Sequence, residues 1–402
     1  MRIAILSNAP WAKTGYGTQC NLFAQRIKAL GHEVAIIAFY GLEGGTLVWN
    51  GIPVYPKAYD PYGNDIWAAH SENFRADISI SNLDTWVLNP GQMIHGMRWV
   101  PWLPVDHEPL PPVITEKIRM AFSRIVYTRF AEQSLKDAGL DCYYVPMGVD
   151  TSVYTPMPQE QARKDLGIAG DPFIVGMVAM NKGTPSRKCF PQNLEAFANF
   201  HKRHPDTALY LHTQKGDGGE MQGVPLTQLT KDLGIDSVTQ FCDQYGNALG
   251  FPDDYMVRAY SAIDVLLAVS MGEGFGLPVL EAQACGTPVI VGDWTASSEL
   301  CFSGWKISKK HAERFRTPLN SYQFIPRLKA IEDALEIAYK HARKPQLAEM
   351  ARAGALHYDA DHITEKYWKP VLADIERKVE ALQVKFVGPA LAAIPVMQAV
   401  TA

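Results

Sequence analysis

Residues 265–291 read VLLAVSMGEGFGLPVLEAQACGTPVIV, and this stretch decides the fold class. Residues 265–269 form a short apolar run typical of a buried strand, residues 278–284 form a helix closed by Gly286, and residues 288–291 form a second apolar run. Apolar runs that alternate with helices indicate βαβ units and a parallel sheet. Because ligands bind beyond the carboxyl ends of such strands, the loop after the first run is a candidate functional site.

The same alternation extends along the chain in two series, separated by a stretch rich in Gly and Pro at residues 148–171. The first series predicts strands at residues 3–6, 32–39, 77–81, 99–105 and 124–128, and helices at residues 18–30, 112–122 and 130–138. The second predicts further strands at residues 173–178, 208–212 and 238–242, and helices at residues 193–203, 226–233, 254–262 and 325–343. A helix at residues 362–383, interrupted by Pro370, ends the pattern. We therefore predict α/β domains at residues 1–168 and 169–360, followed by a helix and tail at residues 361–402.

The composition is that of a folded globular protein, with 402 residues of which 47% are hydrophobic and 20% charged. Lys and Arg total 38 against 42 Asp and Glu, and this balance argues against a polyanion as the main partner. Six cysteines without a C-x-x-C pair indicate a reducing compartment rather than a zinc site or a disulfide framework. No window reaches the roughly 20 apolar residues of a spanning helix, so we expect a soluble, cytoplasmic protein. The apolar tail at residues 386–402 is expected to be frayed or packed on the surface, with membrane or partner contact as the alternative.

The loop EGFGLPVLE, from Glu273 to Glu281, carries the sharpest pattern in the chain. Gly274 and Gly276 allow backbone amides to approach an oxygen-rich ligand, and the start of the following helix favours phosphate. Glu273 and Glu281 bracket the loop and can accept hydrogen bonds from hydroxyl groups. A ligand that contains both diols and phosphate, such as a nucleotide-sugar, suits this combination. The structural alternative is that Glu273 caps the helix and Glu281 faces solvent.

Two further loops follow strands and carry cations or glycines. Residues 181–188 read NKGTPSRK, in which Arg187 and Lys188 can neutralise a diphosphate and Lys182 is a further candidate; the alternative is a solvated basic loop. Residues 13–18 read KTGYGT, which places Gly15 and Gly17 at a helix entrance where phosphate or sugar oxygens can meet amides. Cys20 stands where a dinucleotide fingerprint needs its third glycine, so a dehydrogenase is a weak alternative.

A fourth loop, PVDHEP at residues 104–109, carries Asp106 and His107 after a strand rich in Trp and Pro. Either side chain can orient a sugar or help to move a proton. The alternative is a turn in which Asp106 caps neighbouring backbone amides.

Taken together, the E-x7-E loop, the Arg187-Lys188 pair, the glycine-rich first turn and VPMGVD at residues 145–150 resemble retaining glycosyltransferases of family four. CGTPVI at residues 285–290 and SSEL at residues 297–300 also look like the family pattern. The resemblance covers nearly the whole chain and implies the GT-B type. In that type two Rossmann-like parallel-sheet domains face a central cleft, and a C-terminal helix crosses back to the first domain. The first domain would be on the acceptor side, and the second would bind the nucleotide-sugar.

The resemblance also implies roles for individual residues. Glu281 would bind the ribose hydroxyls of the donor and Glu273 the hydroxyls of the transferred sugar. The remaining donor-binding candidates are Gly15, Gly17, Lys182, Arg187, Lys188, Gly274, Phe275, Gly276 and Leu277. The catalytic candidates are Asp106, His107, Glu273, Arg187 and Lys188. No metal or other cofactor is implied, and the leaving phosphate would accept the acceptor's proton during transfer with retained anomeric configuration.

Several features leave the substrates open. The loop at residues 180–186 is longer than is usual in the family, Met177 stands where an Arg is common, and residues 213–219 give no indication of the donor base. The acceptor can be a glycan, a lipid, a protein or modified DNA, although the acidic pI weighs against DNA. A non-hydrolysing sugar-nucleotide epimerase and a non-catalytic nucleotide-sugar binding protein are the alternative functions. Aromatic residues of the first domain can stack on sugar rings, although core or rim positions are more usual for them: Tyr59, Tyr62, Trp67, Trp86, Trp99 and Trp102.

Overall fold

The computed structural model describes residues 1–93, 97–216 and 223–386, and within them two separate parallel sheets. The first sheet has eight strands in the spatial order β3-β4-β2-β1-β5-β6-β7-β8, and only the β3–β4 pair is antiparallel. Its strands in chain order are β1 (Arg2–Asn8), β2 (Glu33–Tyr40), β3 (Leu47–Trp49), β4 (Ile52–Pro56), β5 (Ile78–Asn82), β6 (Trp99–Leu103), β7 (Ile125–Val126) and β8 (Tyr143–Tyr144). Strands β5 and β6 are buried throughout, as expected for a sheet covered on both faces.

The second sheet has six parallel strands in the order β11-β10-β9-β12-β13-β14, and a separate two-stranded hairpin follows it in the chain. The strands of the sheet are β9 (Phe173–Val178), β10 (Thr207–His212), β11 (Thr239–Phe241), β12 (Val265–Leu267), β13 (Val289–Asp293) and β14 (Gly304–Ser308). The hairpin consists of β15 (Ala312–Arg316) and β16 (Tyr322–Pro326). These two sheets confirm the predicted α/β class with two parallel-sheet halves.

Helices connect the strands and cover the sheets. Those of the first half are α1 (Gly15–Ala29), α2 (Trp67–Asn73), α3 (Pro90–Met93), α4 (Pro112–Arg119), α5 (Arg129–Asp137) and α6 (Gln159–Asp165). Those of the second half are α7 (Phe190–Arg203), α8 (Leu226–Asp232), α9 (Gln244–Leu249), α10 (Asp253–Ala262), α11 (Leu277–Ala284), α12 (Leu328–His341) and α13 (Pro345–Leu356). The chain ends its described part with α14 (Ala360–Ile363), a π-helical turn at Thr364–Trp368, and α15 (Lys369–Phe386).

The last helices return to the first sheet, as the predicted C-terminal crossing requires. The Trp368 ring packs against Phe23 and Trp102, with ring centroids 5.9 and 4.9 Å apart respectively. The carboxylate of Glu376 accepts a hydrogen bond from the N-terminal ammonium at 3.0 Å. Residues 387–402, which include almost all of the apolar tail, lie outside the described residues.

The observed helices differ from the predicted ones mainly where they begin and end. The helix predicted at residues 325–343 begins only at Leu328, because Tyr322–Pro326 pairs with Ala312–Arg316 as a strand. The helix predicted to be interrupted by Pro370 runs through α14, the π turn and α15, and its irregularity is the π turn at Thr364–Trp368, directly before the proline whose missing N–H cannot bond to that turn.

Several contacts join the two halves on either side of the cleft. The Lys13 ammonium lies 2.9 Å from the Asp253 carboxylate. The Glu299 carboxylate accepts hydrogen bonds from the amides of Arg129 and Phe130 and so caps α5 from the other half. The hairpin contacts the loop after β6, where the amide of Glu108 donates to the Tyr322 carbonyl at 2.9 Å.

Candidate active site

The loop that carries Glu273 leaves the second sheet after β12 and lies directly against the first half. A Cβ atom at Gly272 would lie 2.2 Å from the Asp106 carbonyl oxygen, and one at Gly274 would lie 2.4 Å from the Pro104 side chain. Only glycine fits either position without moving backbone or a proline ring. The two glycines that flank Glu273 therefore bring its carboxylate to the boundary between the halves.

The Glu273 carboxylate is buried and paired with both cations of the basic loop. The Lys188 ammonium lies 2.6 Å from one oxygen, and the Arg187 guanidinium lies 3.2 Å from the other. Burial acts to raise the pKa of Glu273, but Lys188 and Arg187 outweigh burial and lower it to about 2. Glu273 is therefore ionised at every physiological pH, and the structure brings three sequence-predicted residues into one cluster.

Asp106 and His107 adjoin this cluster from the first half. The His107 Nδ1 atom lies 2.6 Å from one Asp106 oxygen, and the Arg187 guanidinium lies 3.9 Å from the other. Burial favours a raised pKa at Asp106, but the hydrogen bond and charge of His107, together with Arg187, hold that pKa below its ordinary value. An ionised Asp106 thus faces Arg187 across the cleft.

Glu281 lies on the second turn of α11 and is half-buried. Its carboxylate accepts a hydrogen bond from the hydroxyl of fully buried Tyr260 at 2.7 Å. Burial raises the pKa of Glu281 to about 7, although the Tyr260 hydrogen bond opposes this rise. Glu281 is therefore half-buried and hydrogen-bonded, which disfavours the solvent-facing alternative.

A cavity of about 290 Å³ between the halves opens onto Glu281. Thr14 and Gly15, at the start of α1, line it from the first half, and Pro278 lines it at the start of α11. Because a helix N-terminus leaves amides without intrahelical partners and carries partial positive charge, both helices favour an anion in this cavity.

The rings of His212 and Phe251 are among the aromatic side chains that line the same cavity. The Phe251 ring stacks on Tyr255 at a centroid distance of 4.1 Å, and the His212 ring lies 5.0 Å from Phe251. Burial lowers the pKa of His212 to about 4, so this ring is neutral near pH 7. The cavity therefore combines anion-binding helix starts with a flat, uncharged aromatic surface.

The other predicted donor residues occupy different environments. A Cβ atom at Gly15 would contact the Leu277 side chain. Gly17 lies inside α1, where a Cβ atom would lie 2.2 Å from the Ala12 carbonyl oxygen. Helix α1 starts three residues before the predicted position because the Thr14 hydroxyl caps it by accepting from the Gly17 amide at 3.1 Å. Phe275 is buried, so its side chain belongs to the core.

Lys182 is exposed, and none of the described ion pairs joins it to the cluster of Glu273, Arg187 and Lys188. Residues 217–219, part of the loop at residues 213–219 that gave no indication of the donor base, lie outside the described residues.

Sequence reasoning missed Gln323, Tyr260 and Asp84. The buried Gln323 amide donates to the Asp106 carboxylate at 3.2 Å, although 217 residues separate the two. Asp84 follows β5, accepts a hydrogen bond from the Tyr16 hydroxyl, and has a pKa raised to about 6 by burial and by the neighbouring Asp106. An acidic residue directly after a strand was the available signal for Asp84, whereas neither Gln323 nor Tyr260 lies in a recognisable motif.

Within the described ranges, no group of three or more His, Cys, Asp or Glu side chains is placed to hold a metal ion. None of the helices described is long and apolar enough to cross a membrane. All six cysteines are unpaired thiols, and four of them are buried.

Residues 176–317 match the family model described as "Glycosyl transferases group 1". The D-inositol 3-phosphate glycosyltransferase of Stackebrandtia nassauensis is 30% identical to this chain over 289 residues, which cover 64% of this chain and 61% of that protein. Further relatives of the same name match over 149 to 154 residues, so the matched part of the chain spans about a third of the length of these curated relatives.

Solved structures extend the similarity to the whole described fold. Sucrose-phosphate synthase from Thermosynechococcus elongatus has a TM-score of 0.73 at 16% identity and covers 95% of this chain and 100% of its own. Anabaena HepE in complex with UDP-glucose has a TM-score of 0.65 at 18% identity, again with 95% and 100% coverage. These matches confirm the predicted GT-B fold, and residues 176–317 of the second half are similar to group 1 glycosyltransferases.

Proposed function

We propose that this protein is a retaining glycosyltransferase that moves a sugar from a nucleoside-diphosphate sugar to a hydroxyl acceptor. The observation that carries the proposal is the buried Glu273 carboxylate, which is held by Lys188 and Arg187 at the boundary of the two halves. Glu273 lies in this ion-pair cluster, and Glu281, eight residues later in the chain, lies at the cavity that favours an anion. Few ligands other than a nucleotide-sugar combine phosphate with diols at both ends.

The donor lies in the cavity with its ribose at Glu281. A ribose diol donates two hydrogen bonds, and a carboxylate accepts them better than a neutral group does. The helix starts at Thr14 and Pro278 face the diphosphate, and Phe251, which lines the cavity and stacks on Tyr255, provides a flat surface for the base. UDP-glucose is the first donor to test, because it is the ligand named for the HepE structure.

The departing diphosphate gains negative charge as the sugar leaves, and cations near it stabilise this charge. Lys188 and Arg187 retain N–H donors beyond those they direct at Glu273, since an ammonium has three and a guanidinium five. Arg187 keeps its charge throughout, because Glu273 and Asp106 raise its pKa despite burial. These side chains take the place that a metal ion has in other transferases, so the reaction proceeds without one.

The transfer breaks the bond between the anomeric carbon and the diphosphate oxygen and forms a bond from the same carbon to the acceptor oxygen. The acceptor's proton passes to the departing phosphate, and the new bond forms on the face that the phosphate leaves. Asp106 and His107 orient the hydroxyls of the transferred sugar from the first half, and Glu273 does so from the second. Unpaired thiols suit a reducing compartment, so we place the reaction in the cytoplasm.

A thermal-shift screen of UDP, GDP and ADP with their glucose or mannose derivatives tests donor binding, because a ligand that binds the native state raises Tm. We expect one nucleotide series to stabilise the protein, and absence of any shift would contradict the proposal. Incubation with the stabilising donor and a panel of hydroxyl acceptors then tests turnover by NMR. A glycoside of retained configuration supports transfer. Release of a free epimer would identify an epimerase, and binding without product across the panel would identify a binding protein.

A further inference from the structure

Exposed aromatic side chains are concentrated on one edge of the first half. Among the described side chains six aromatic residues are exposed, and five of them belong to this half. Their exposed fractions range from 36% to 98%, and they are Trp11, Tyr40, Tyr59, Tyr62 and Trp86, which we call the aromatic strip. The other large aromatics considered from the sequence, Trp67, Trp99 and Trp102, are buried. Exposed aromatic surface that is confined to one edge indicates a binding site rather than chance exposure.

The aromatic strip follows the carboxyl ends of adjacent strands. Tyr59 and Tyr62 come after β4, Tyr40 ends β2, Trp11 follows β1, and Trp86 follows β5. These strands are neighbours in that order, and the next strand is β6, which leads to Asp106 and His107. Strands lie about 4.8 Å apart, so four spacings from β4 to β6 extend about 19 Å along the cleft.

Hydrogen bonds hold parts of the aromatic strip in place. The Trp11 indole donates to the Gly41 carbonyl at 2.8 Å and so joins the loops after β1 and β2. The Lys117 ammonium donates to the Trp86 carbonyl and fixes the turn after β5. The Tyr62 ring packs beside Phe39 at a centroid distance of 6.1 Å. A ligand therefore meets rings that are partly ordered before it binds, which lowers the entropic cost of binding.

The charges of the same loops exclude a polyanion. Residues 9–14, 41–46, 57–66, 83–89 and 104–109 contain six Asp or Glu residues and two lysines. Both lysines are already paired, Lys13 with Asp253 at 2.9 Å and Lys57 with Glu43 at 3.1 Å. Nucleic acids and anionic membranes require clustered free cations, and this edge offers carboxylates instead. Aromatic faces together with hydrogen-bond acceptors suit a neutral polyhydroxylated chain.

We propose that the aromatic strip binds an extended neutral glycan, which is the acceptor of the proposed transferase. The strip leads to Asp106 and His107, so a glycan bound along it presents its terminal hydroxyl to the sugar held at Glu273. Trp and Tyr rings pack against the apolar faces of sugar rings, while Asp84 at the inner end accepts hydroxyl hydrogen bonds. The inference rests on the proposed function for the identity of the acceptor, but the binding itself can be measured without any donor.

The test measures binding of neutral oligosaccharides of increasing length by calorimetry and tryptophan fluorescence. The panel contains α- and β-linked glucose, mannose and galactose oligomers, with single-stranded oligothymidylate and phosphatidylglycerol vesicles as separate arms. Trp86→Ala and Tyr40→Ala remove exposed rings from the strip. Met350→Ala is the matched control, because Met350 is 52% exposed, close to the 47% of Trp86, but lies on α13 of the second half.

We expect at least one oligosaccharide series to bind with an affinity that rises with length. Each strip variant should lose about five- to tenfold, the effect of one aromatic contact, and Met350→Ala should lose nothing. Affinity that ignores length, equal affinity in wild type and strip variants, or no binding by any oligosaccharide would overturn the proposal. Oligothymidylate or vesicle binding that the strip variants abolish would overturn it in favour of those partners. UDP-glucose binding is measured in parallel. A wild-type protein that does not bind UDP-glucose would contradict the proposed function but not the binding of a glycan by the aromatic strip.

Discussion

Replacement of Glu281 by Gln should weaken nucleotide binding and at the same time stabilise the free protein. Burial raises the pKa of Glu281 from 4.5 to about 7, so above pH 7 the folded protein holds a carboxylate that burial disfavours. At about 1.4 kcal/mol per pKa unit, this difference corresponds to about 3 kcal/mol against folding at high pH. Gln has nearly the same shape, can still accept from the Tyr260 hydroxyl, and removes this cost.

The pH dependence has a definite sign. Between pH 4.5 and 7 the folded state binds more protons at Glu281 than the unfolded state does, so the contribution of this group to stability falls as the pH rises. The stability gain of Glu281→Gln should therefore reach up to about 3 kcal/mol at pH 8 and nearly vanish near pH 4.5. Urea denaturation at several pH values measures it. Glu195→Gln, on an exposed residue of the same half, should show no such trend.

Binding should change in the opposite direction. If the ionised carboxylate accepts from the ribose, Glu281→Gln should weaken UDP-glucose binding by about tenfold to a hundredfold, the cost of lost hydrogen bonds to a charged group. Wild-type affinity should also fall about tenfold per pH unit below the pKa of about 7, whereas the variant should show no dependence. UDP-glucose is chosen because its diphosphate does not titrate in this range. Unchanged affinity by calorimetry, or a variant that is destabilised at pH 8, would refute the reasoning.

Three further predictions concern the ion-pair cluster, the hairpin and the metal. Lys188→Ala should lower turnover by about a hundredfold to a thousandfold, because the departing diphosphate loses one charge-stabilising donor. Lys182→Ala is the control and should have a much smaller effect. Similar kinetics for the two variants would remove Lys188 from the site. Gln323→Leu should lower kcat about five- to tenfold, because Asp106 loses its hydrogen bond from the Gln323 amide, and should leave the Kd for UDP-glucose unchanged. A variant with the kcat of the wild type would show that the hairpin does not position Asp106. Activity should survive dialysis against EDTA, and a loss that Mg²⁺ restores would contradict metal-free transfer.

Local patterns predicted the elements well where burial is uniform along the chain. The run at Phe173–Val178 is a strand as expected, and Pro278 stands in the first turn of a helix. The prediction failed at residues 325–327, where the apolar pattern of a helix continues into a strand whose partner is Ala312–Arg316. Propensity cannot decide such a case, because the cross-strand partner determines which conformation is stable.

The candidate site was predictable wherever a motif carries its own chemistry. Glu273, Arg187 and Lys188 stand in loops that follow parallel strands, and such loops meet at one edge of a sheet. Gln323 has no such context, since it reaches Asp106 only because the hairpin docks on the other half. The sequence also left Glu281 with two environments, and only the contact with Tyr260 decides between them.

The order of residues alone determined that this chain makes two parallel sheets and that its glycines, acids and cations fall in the loops after the strands. Hydrophobic periodicity and turn residues act over a few neighbouring positions, so they can be read without knowledge of the fold. The tertiary structure decided which aromatic rings are exposed, which carboxylates are raised or lowered in pKa, and which side chains from opposite halves meet. These properties depend on burial and on charges that are distant in sequence, and packing alone brings those groups together.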